Sequence, residues 1–249
     1  MEMSLLVSYC TTCSNRLWQL ALTLPENLEN LKDDEEMILV NYGSKDDLNK
    51  YIQASTLCQT KIKENKLKYL EVLNVEKYHS PKAKNIAHRF GTGEFLVNLD
   101  CDNYNEEIRN TILNLEDKNV IVHLWSKVAW NGTFGKIAIS KNNFYRLGGY
   151  DESLLPIAFQ DNDLIKRANA MAIKKIEKPL TNKFIFNSVE EKIKFTGCSD
   201  WEQCNNFNYW KSFENIKENK LVANKEKGWG KANVIVNFND SVELKEIIP

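Results

Sequence analysis

The sequence lacks the long apolar run and the charge excess that mark membrane-spanning and nucleic-acid-binding proteins. No stretch approaches the ~20 consecutive apolar residues needed to cross a bilayer, and the short apolar run near Met1 has no basic flank like that of a secretory signal. Lys and Arg number 33 against 34 Asp and Glu, so the formal net charge is −1. We expect a cytoplasmic protein without a transmembrane segment, which a partner could hold at a membrane surface. Nucleic acid is not an expected partner, although a local basic patch is left open.

The small number of cysteines and histidines argues against a structural zinc site. The sequence has six Cys and three His. Cys10 and Cys13 have the spacing of one half of a zinc site, but a second half is missing, because Cys198 and Cys204 are too loosely spaced to supply it. We therefore expect six free thiols in a reducing compartment, several of them buried.

No composition shift, linker or internal repeat divides the chain. Its 249 residues, 43% apolar and 27% charged, are typical of a globular protein that can bury a substantial core. We expect a single domain over residues 1–249.

Apolar runs and helical spacings alternate along the chain. Strands are predicted at 4–9, 37–40, 67–72, 95–99, 120–125, 184–188 and 234–238. A helix capped by Ser14 is predicted from the spacing of Leu17, Leu20, Leu24 and Leu28, with a kink or break at Pro25. The aromatics between 201 and 213 predict a helix that packs on the sheet. Alternating strands and helices predict an α/β fold with a doubly wound sheet.

The strand predicted at 95–99 ends at two carboxylates, Asp100 and Asp102. In an open α/β sheet ligands bind at the carboxyl ends of the strands, and paired carboxylate oxygens suit a divalent cation that carries phosphates. Taken alone, Asp-x-Asp is a weak motif that more often marks a solvated turn after a strand, so the preceding residues have to decide.

Four motifs together resemble glycosyltransferases with the GT-A fold. Residues 84–102 resemble the nucleotide-sugar signature, in which a helix, Gly-Glu-Phe and an apolar strand precede Asp-x-Asp. Residues 40–46, Val-Asn-Tyr-Gly-Ser-Lys-Asp, are similar to a turn of family 2 enzymes. Residues 130–152 and the Gln-Asp-Asn-Asp-Leu at 160–164 follow the spacing seen in galactosyltransferase-like enzymes. The resemblance spans roughly residues 4–190.

The resemblance implies a GT-A type doubly wound, mostly parallel sheet with helices on both faces and a smaller acceptor-side C-terminal region. Residues 1–125 would form the nucleotide-sugar-binding half and 126–249 the acceptor-binding half. The implied cofactor is a divalent metal, Mn²⁺ or Mg²⁺. The implied partners are a nucleotide sugar and a glycan or other hydroxyl acceptor.

The resemblance also assigns roles to individual residues. The donor would be bound by Thr11, Thr12, Arg16, Asn41, Ser44, Lys84, Asn85, Asp100 and Cys101. The metal would be held by Asp100, Asp102 and Asn187. Asp161 would be the catalytic base, with Gln160 beside it on the acceptor side. We also expect the acceptor to contact Trp130, Phe134 and Gly135, because aromatic faces stack on sugars and glycine permits close approach. Composition alone adds Trp229, which its flanking glycines would let a mobile loop present to a sugar face.

Several of these assignments have a competing interpretation. Arg16 could instead form a surface ion pair, and Asp163 could cap a helix. Asn41, Gln160 and Asn187 stand where relatives carry Asp, Glu and His. These departures leave the nucleotide base, the acceptor and the third metal ligand open.

The resulting hypothesis is an inverting, metal-dependent glycosyltransferase that moves a sugar from a UDP-sugar to an acceptor hydroxyl, as in polysaccharide biosynthesis. One alternative is a non-catalytic carbohydrate-binding relative, which the three departures favour. A nucleotidylyltransferase is a weaker alternative, because the loop from Cys10 to Arg16 has no glycine.

Overall fold

A computed structural model describes residues 6–127, 133–180 and 184–249. In this part of the chain, nine strands form one sheet in the order β7-β5-β6-β4-β1-β2-β3-β8-β9. The strands are β1 Val7–Cys13, β2 Glu35–Tyr42, β3 Leu67–Val72, β4 Phe95–Asn98, β5 Val120–Trp125, β6 Ile137–Ser140, β7 Lys174–Pro179, β8 Ala232–Val236 and β9 Asp240–Leu244. The helices are α1 Leu17–Glu29, α2 Leu48–Ala54, α3 Thr56–Lys63, α4 Ser80–Phe90, α5 Ile108–Leu113, α6 Lys141–Arg146, α7 Gln160–Ala170, α8 Val189–Ile193 and α9 Trp201–Lys217.

The sheet has a parallel core of β4, β1, β2 and β3. Antiparallel pairs extend it on both sides: β6 joins β4 and β5, and β8 joins β3 and β9. β7 then pairs parallel with β5. The predicted α/β class is confirmed, with a mixed sheet built around parallel core strands.

Helices cover both faces of the sheet because the core strands alternate their side chains between two apolar layers. Met37 and Leu39 of β2 pack with Leu24 of α1 in one layer. Ile38 of β2 packs with Ile86 of α4 in the other. The predicted helices on both faces are therefore confirmed. The predicted division into two halves at residue 125 stays a prediction.

The first strand and the first helix differ in detail from the sequence prediction. β1 continues to Cys13, so the predicted loop over 10–16 is too long. Ser14 does not cap α1; the carboxylate of Asp46 accepts a hydrogen bond from the Leu17 amide at 2.9 Å instead. α1 runs through Pro25 without a break. A cap from a distant turn leaves no local sequence signal, which explains the error.

Two predictions in the C-terminal half are wrong. Residues 184–188 do not form a strand; Phe184 makes only an isolated bridge to Asn103. The helix predicted from 201 is present as α9, but its aromatics do not pack on the sheet. α9 is buried through Cys204, Asn208 and Ser212.

The cysteines also differ from prediction. Cys198 and Cys204 form a disulfide, so the expected free thiols are wrong for this pair. Cys10, Cys13, Cys58 and Cys101 are free and buried. Cys10 and Cys13 lie in apolar layers on opposite faces of the sheet, which leaves no half-site for zinc. Among the described residues, no helix is long and apolar enough to span a membrane.

Buried polar side chains of α1 anchor the segment that follows β4. The Thr23 hydroxyl donates to the Cys101 carbonyl at 2.7 Å, and the Asn27 amide donates to the Asn103 carbonyl at 3.0 Å. The Asn27 side-chain oxygen accepts from the Asn105 amide at 2.8 Å. Hydrogen bonds from α1, which is far away in the sequence, thus fix the backbone of the Asp-x-Asp turn.

Asn27→Ala should lower the free energy of unfolding by about 1–3 kcal/mol, because it leaves buried backbone groups of Asn103 and Asn105 without partners. Chemical denaturation measures this change. Glu29→Ala, an exposed substitution on the same helix, is the control and should be nearly neutral. Equal stabilities of the two variants would contradict the anchoring role.

Candidate active site

A cavity of about 480 Å³ opens at the carboxyl ends of β1 and β4. Ligands bind at this edge in open α/β sheets, as the sequence analysis expected. Ten predicted site residues line the cavity: Thr12, Arg16, Lys84, Asp100, Cys101, Asp102, Phe134, Gly135, Gln160 and Asp161.

The Lys84 ammonium joins acids from two distant parts of the chain. Its Nζ lies 2.7 Å from Oδ1 of Asp161 and 3.8 Å from Oδ1 of Asp100. Asp100 follows β4, and Asp161 lies in the first turn of α7. The residue predicted as catalytic base and the Asp-x-Asp motif therefore face the same cavity.

Lys84 is buried, with 3% of its side chain exposed. Burial lowers the pKa of Lys84, but the negative charges of Asp161 and Asp100 outweigh this effect and raise that pKa above its usual value. The ammonium also lies 5.2 Å from the ring centroid of Tyr150. Lys84 is thus a permanent cation between the two acids.

The two carboxylates of the Asp-x-Asp motif lie in different environments. Asp100 is 30% exposed, and the Asn98 amide donates to its Oδ1 at 3.1 Å. Gly135 packs so closely that a Cβ at this position would collide with the Asp100 carboxylate. Asp102 is only 3% exposed, and burial together with the charge of Asp100 raises its pKa to about 6.

Two more cations lie near Asp102 at the cavity. Burial lowers the pKa of Arg16, but interactions with Cys101 first and then with Asp102, Tyr78 and Asp100 raise it overall. Lys192 on α8 also interacts with Asp102, although burial lowers the pKa of Lys192. Arg16 therefore faces a buried acid in the cavity and not a surface partner. Arg16 and Lys192 thus supply cationic groups at the cavity, of the kind that bind phosphate.

A strained turn places Asp161. Ala158 and Phe159 adopt positive φ angles of 70° and 63°, which are costly for residues with a side chain. The Asn208 amide on α9 holds this turn by donating to the carbonyls of Ile157 at 3.0 Å and Ala158 at 2.8 Å. Strain held by a buried side chain is typical of a site whose geometry matters.

Four predicted donor residues lie behind the cavity wall. Asn41 and Ser44 bond to each other and to neighbouring loops: the Asn41 oxygen accepts from the Ser44 amide at 2.9 Å, and the Ser44 hydroxyl accepts from the Asn15 amide at 2.9 Å. Asn85 is buried and bonds to Tyr150 and Glu152. Thr11 is also buried. Direct contact with a ligand in the cavity is not supported for these four residues.

Asn187 is not among the residues that line the cavity, but it belongs to a segment that touches the Asp-x-Asp turn. The Ile185 amide donates to the Asp102 carbonyl at 2.8 Å. Asn187 is 2% exposed, and neither its side-chain nitrogen nor its oxygen has a hydrogen-bond partner among the described residues. A buried amide without partners is consistent with a ligand role, which stays a prediction.

Of the residues assigned to the acceptor, Trp229 needs correction and Trp130 is not described. Trp229 is 1% exposed and packs against Phe144 and Tyr145 at 5.7 and 5.2 Å between ring centroids, so it is a core residue and the predicted exposed indole is wrong. Trp130 lies outside the described residues.

Asp163 does not cap a helix. It forms a buried ion pair with Arg167 at 2.7 Å. Arg167 in turn donates to the carbonyls of Leu147 and Gly149. The pair fixes the glycine turn that follows α6.

Sequence reasoning missed several residues of the cavity wall. These are Ser14, Tyr78, Ser80, Trp125, Ile157, Ala158, Phe159, Asn162, Glu191, Lys192, Phe195, Thr196, Trp201 and Asn205. Trp125 had a usable signal, because it ends the strand β5 predicted at 120–125, and so did Asn162, because it lies inside the motif at 160–164. The others lie on turns and helix ends whose approach to the cavity depends on tertiary packing.

The residues at the cavity fit a divalent cation. Asp100 and Asp102 offer hard oxygen ligands, and the unpartnered amide of Asn187 offers a third. Within the described ranges, no group of three or more His, Cys, Asp or Glu side chains could hold a metal. Such a site fits Mg²⁺ or Mn²⁺ bound by one or two carboxylates together with substrate phosphates.

Asp102→Asn should stabilise the metal-free protein above about pH 6. Because the pKa of Asp102 is raised to about 6 from an ordinary 3.8, the native state holds its proton more tightly, and stability falls as pH rises between these values. Removing the charge should raise the free energy of unfolding by on the order of 3 kcal/mol. The measurement is the melting temperature in EDTA.

The same comparison near pH 4 is the control, because the carboxyl is protonated there in the native state and the difference should shrink. Adding Mn²⁺ at neutral pH should raise the melting temperature of the wild type only. A variant that melts lower than the wild type at both pH values would contradict this account of Asp102.

No family model and no curated protein matches the sequence. Solved structures do match. A mannosyltransferase from Pyrobaculum calidifontis, solved with GDP-Man and Mn²⁺, is 19% identical with a TM-score of 0.55 over 72% of this chain and 56% of its own. S. aureus TarS 1-349 with UDP-GlcNAc is 13% identical with a TM-score of 0.62 over 90% of this chain and 68% of its own.

The catalytic domain of Drosophila β1,4-galactosyltransferase 7, in complex with xylobiose, is 11% identical with a TM-score of 0.51 over 80% of this chain and 77% of its own. The match to the mannosyltransferase spans just over half the length of that chain. At these identities the likeness concerns the fold. The chain has the GT-A fold of nucleotide-sugar glycosyltransferases.

Proposed function

We propose that this chain is an inverting, metal-dependent glycosyltransferase that transfers a sugar from a nucleotide sugar, a UDP-sugar first among the candidates, to an acceptor hydroxyl. One observation carries the proposal: Lys84 contacts Asp161 and Asp100 across the same cavity at 2.7 and 3.8 Å. These contacts support a base for the acceptor next to a site for the donor phosphates.

The donor diphosphate is placed against the cations of the cavity. Arg16 and Lys192 offer charge-assisted hydrogen bonds to phosphate oxygens. A second cavity of about 200 Å³ shares Ser14, Tyr78 and Phe195 with the first and reaches Gly43 in the turn after β2. We place the nucleotide base there, close to the turn that the sequence analysis linked to base binding.

Asp100 and Asp102, with Asn187, would hold the divalent ion. When bound, Mg²⁺ or Mn²⁺ supplies a Lewis acid that neutralises the charge of the leaving diphosphate.

Asp161 acts on the acceptor. Its Oδ1 contacts Lys84, so Oδ2 is the oxygen we assign to the acceptor hydroxyl. Asp161 takes the hydroxyl proton while the acceptor oxygen forms a bond to the anomeric carbon. The bond from that carbon to the diphosphate oxygen breaks, and the nucleoside diphosphate leaves with the electron pair. A single displacement of this kind inverts the anomeric carbon.

The acceptor is placed between Asp161 and the aromatic side of the cavity. Trp125 and Phe134 line it with ring centroids 5.2 Å apart, which offers apolar surface to a sugar ring. Gly135 permits close approach. The Gln160 amide donates to Ser80 at 3.1 Å, while its side-chain oxygen has no partner among the described residues. That oxygen is buried, so it would accept a hydrogen bond from an acceptor hydroxyl only once the Gln160 side chain turns toward the cavity.

The alternative function is nucleotide-sugar binding without turnover. Its specific support is the ion pair that already engages Asp161, together with a neutral Gln160 where relatives carry an acid. Both functions require the donor site, so only turnover separates them.

Asp161→Asn should reduce sugar transfer by about 10²- to 10⁴-fold while donor binding persists, because it removes the base and keeps the shape of the side chain. The assay measures release of the nucleotide leaving group, which is the nucleoside diphosphate for UDP-, GDP- and dTDP-sugars and CMP for CMP-sugars, with Mn²⁺ and a mixed panel of glycan acceptors. Asp47→Asn, which removes an exposed carboxylate outside the cavity, is the matched control.

Unchanged release by Asp161→Asn would exclude this residue as the base. Donor binding by the wild type without any release would support the binding protein.

A further inference from the structure

Helix α9 exposes most of its aromatic residues to solvent. Phe207, Tyr209, Trp210 and Phe213 are exposed by 50, 36, 58 and 46%. The helix is buried instead through Cys204, Asn208 and Ser212. Large aromatics on the solvent side of a helix cost solubility and indicate a binding surface.

These aromatics continue a wall of the active-site cavity. Phe159 lines the cavity two residues before Asp161. Its ring centroid is 5.4 Å from that of Tyr209, which is 5.1 Å from Trp210, which is 5.8 Å from Phe213. We call these four residues the aromatic track. It leads from the proposed catalytic base to the outer surface of α9.

The same face of α9 begins inside the cavity. Trp201 and Asn205 line the cavity, and Tyr209 and Phe213 follow at intervals of four residues. This spacing puts the side chains of residues 201, 205, 209 and 213 on neighbouring turns of α9. They extend over roughly 18 Å, at 1.5 Å per residue. A surface of this length suits a chain of sugars better than a single ring.

A lysine and the packing of neighbouring rings connect the members of the track. The Lys166 ammonium lies 4.9 Å from the Phe159 centroid and 5.1 Å from the Tyr209 centroid. The rings of Tyr209 and Phe213 are nearly parallel, with an interplanar angle of 13° and centroids 6.5 Å apart. Two parallel apolar faces, one helical turn apart, match a ligand whose units repeat a flat C–H face.

The charges around the track favour a sugar chain over a lipid surface. Between Phe207 and Glu214 the helix carries one Lys and one Glu, so it lacks the basic excess that binds anionic membranes. The hydroxyl groups of a glycan can bond to water and to these side chains while its apolar faces cover the rings.

We infer that the aromatic track binds the part of an extended oligosaccharide acceptor that lies outside the cavity, so that the enzyme acts on chains and not on monosaccharides. The inference rests on the proposed glycosyltransferase function. It adds the substrate class and the surface that selects it.

The test compares disaccharides with hexasaccharides of the gluco, manno, xylo and N-acetylglucosamine series. Calorimetry with the full chain should show at least one hexasaccharide binding about tenfold or more tightly than its disaccharide. The double variant Tyr209→Ser/Trp210→Ser should lose this preference for length. Trp210→Ser alone, at the most exposed ring of the track, should reduce it if the double variant folds poorly.

Phe207→Ser is the matched control. Phe207 is equally exposed on α9 but lies outside the track, so this variant should keep the full preference for length. Melting temperatures establish that each variant is folded.

Equal binding of long and short sugars by the wild type, or an unchanged preference in Trp210→Ser, would overturn the inference. Two other results would also overturn it: a dimer in light scattering that the track variants abolish, and binding to phosphatidylcholine vesicles that the same variants abolish. The track would then bind a second copy of the chain or a lipid surface. Donor hydrolysis by the wild type separates the two proposals: hydrolysis without a preference for length rejects the track and leaves the glycosyltransferase standing, whereas no hydrolysis rejects both.

Discussion

The ion pair between Lys84 and Asp161 is the interaction on which the rest of the site depends. A buried ammonium is costly unless carboxylates lie close to it, so Lys84 requires both Asp161 and Asp100. Lys84 belongs to α4, Asp100 follows β4 and Asp161 opens α7. Satisfying one buried cation therefore brings the two sides of the cavity together.

Buried amides keep these acids in place. Asn27 fixes the segment after Asp102, and Asn208 fixes the turn before Asp161. Asn85 performs a similar task, since it joins α4 to the backbone at Tyr150. Each amide satisfies backbone groups that lie outside regular structure, which must find partners once they are buried. The site therefore rests on side chains that have no direct contact with a ligand.

The buried negative charge of Asp102 lowers the stability of the fold but favours the binding of a cation. Asp102 is buried beside Asp100, and its pKa is raised to about 6 because burial and the neighbouring charge both disfavour the carboxylate. A group held ionised at such a cost is typical of a site built to receive a cation. Arg16 and Lys192 offset part of this negative charge.

The sequence was sufficient to predict the site residues that come directly after a strand in the chain. The apolar run before Asp100 predicted β4, and the carboxyl end of a parallel strand predicted the ligand edge. Asn41 and Trp229 were misplaced, because the sequence does not reveal that their side chains are used inside the fold. Lys192 and Asn208 were missed because their neighbours in space are far away in the chain.

The central claim is that the cavity between Asp102 and Asp161 binds a nucleotide sugar together with a divalent ion. Isothermal titration of the wild type with UDP- and GDP-sugars, in Mn²⁺ and in EDTA, tests it most directly. The account predicts that at least one of these donors binds saturably, with one molecule per chain, and that this binding requires Mn²⁺. Failure of every donor to bind in Mn²⁺ would contradict it.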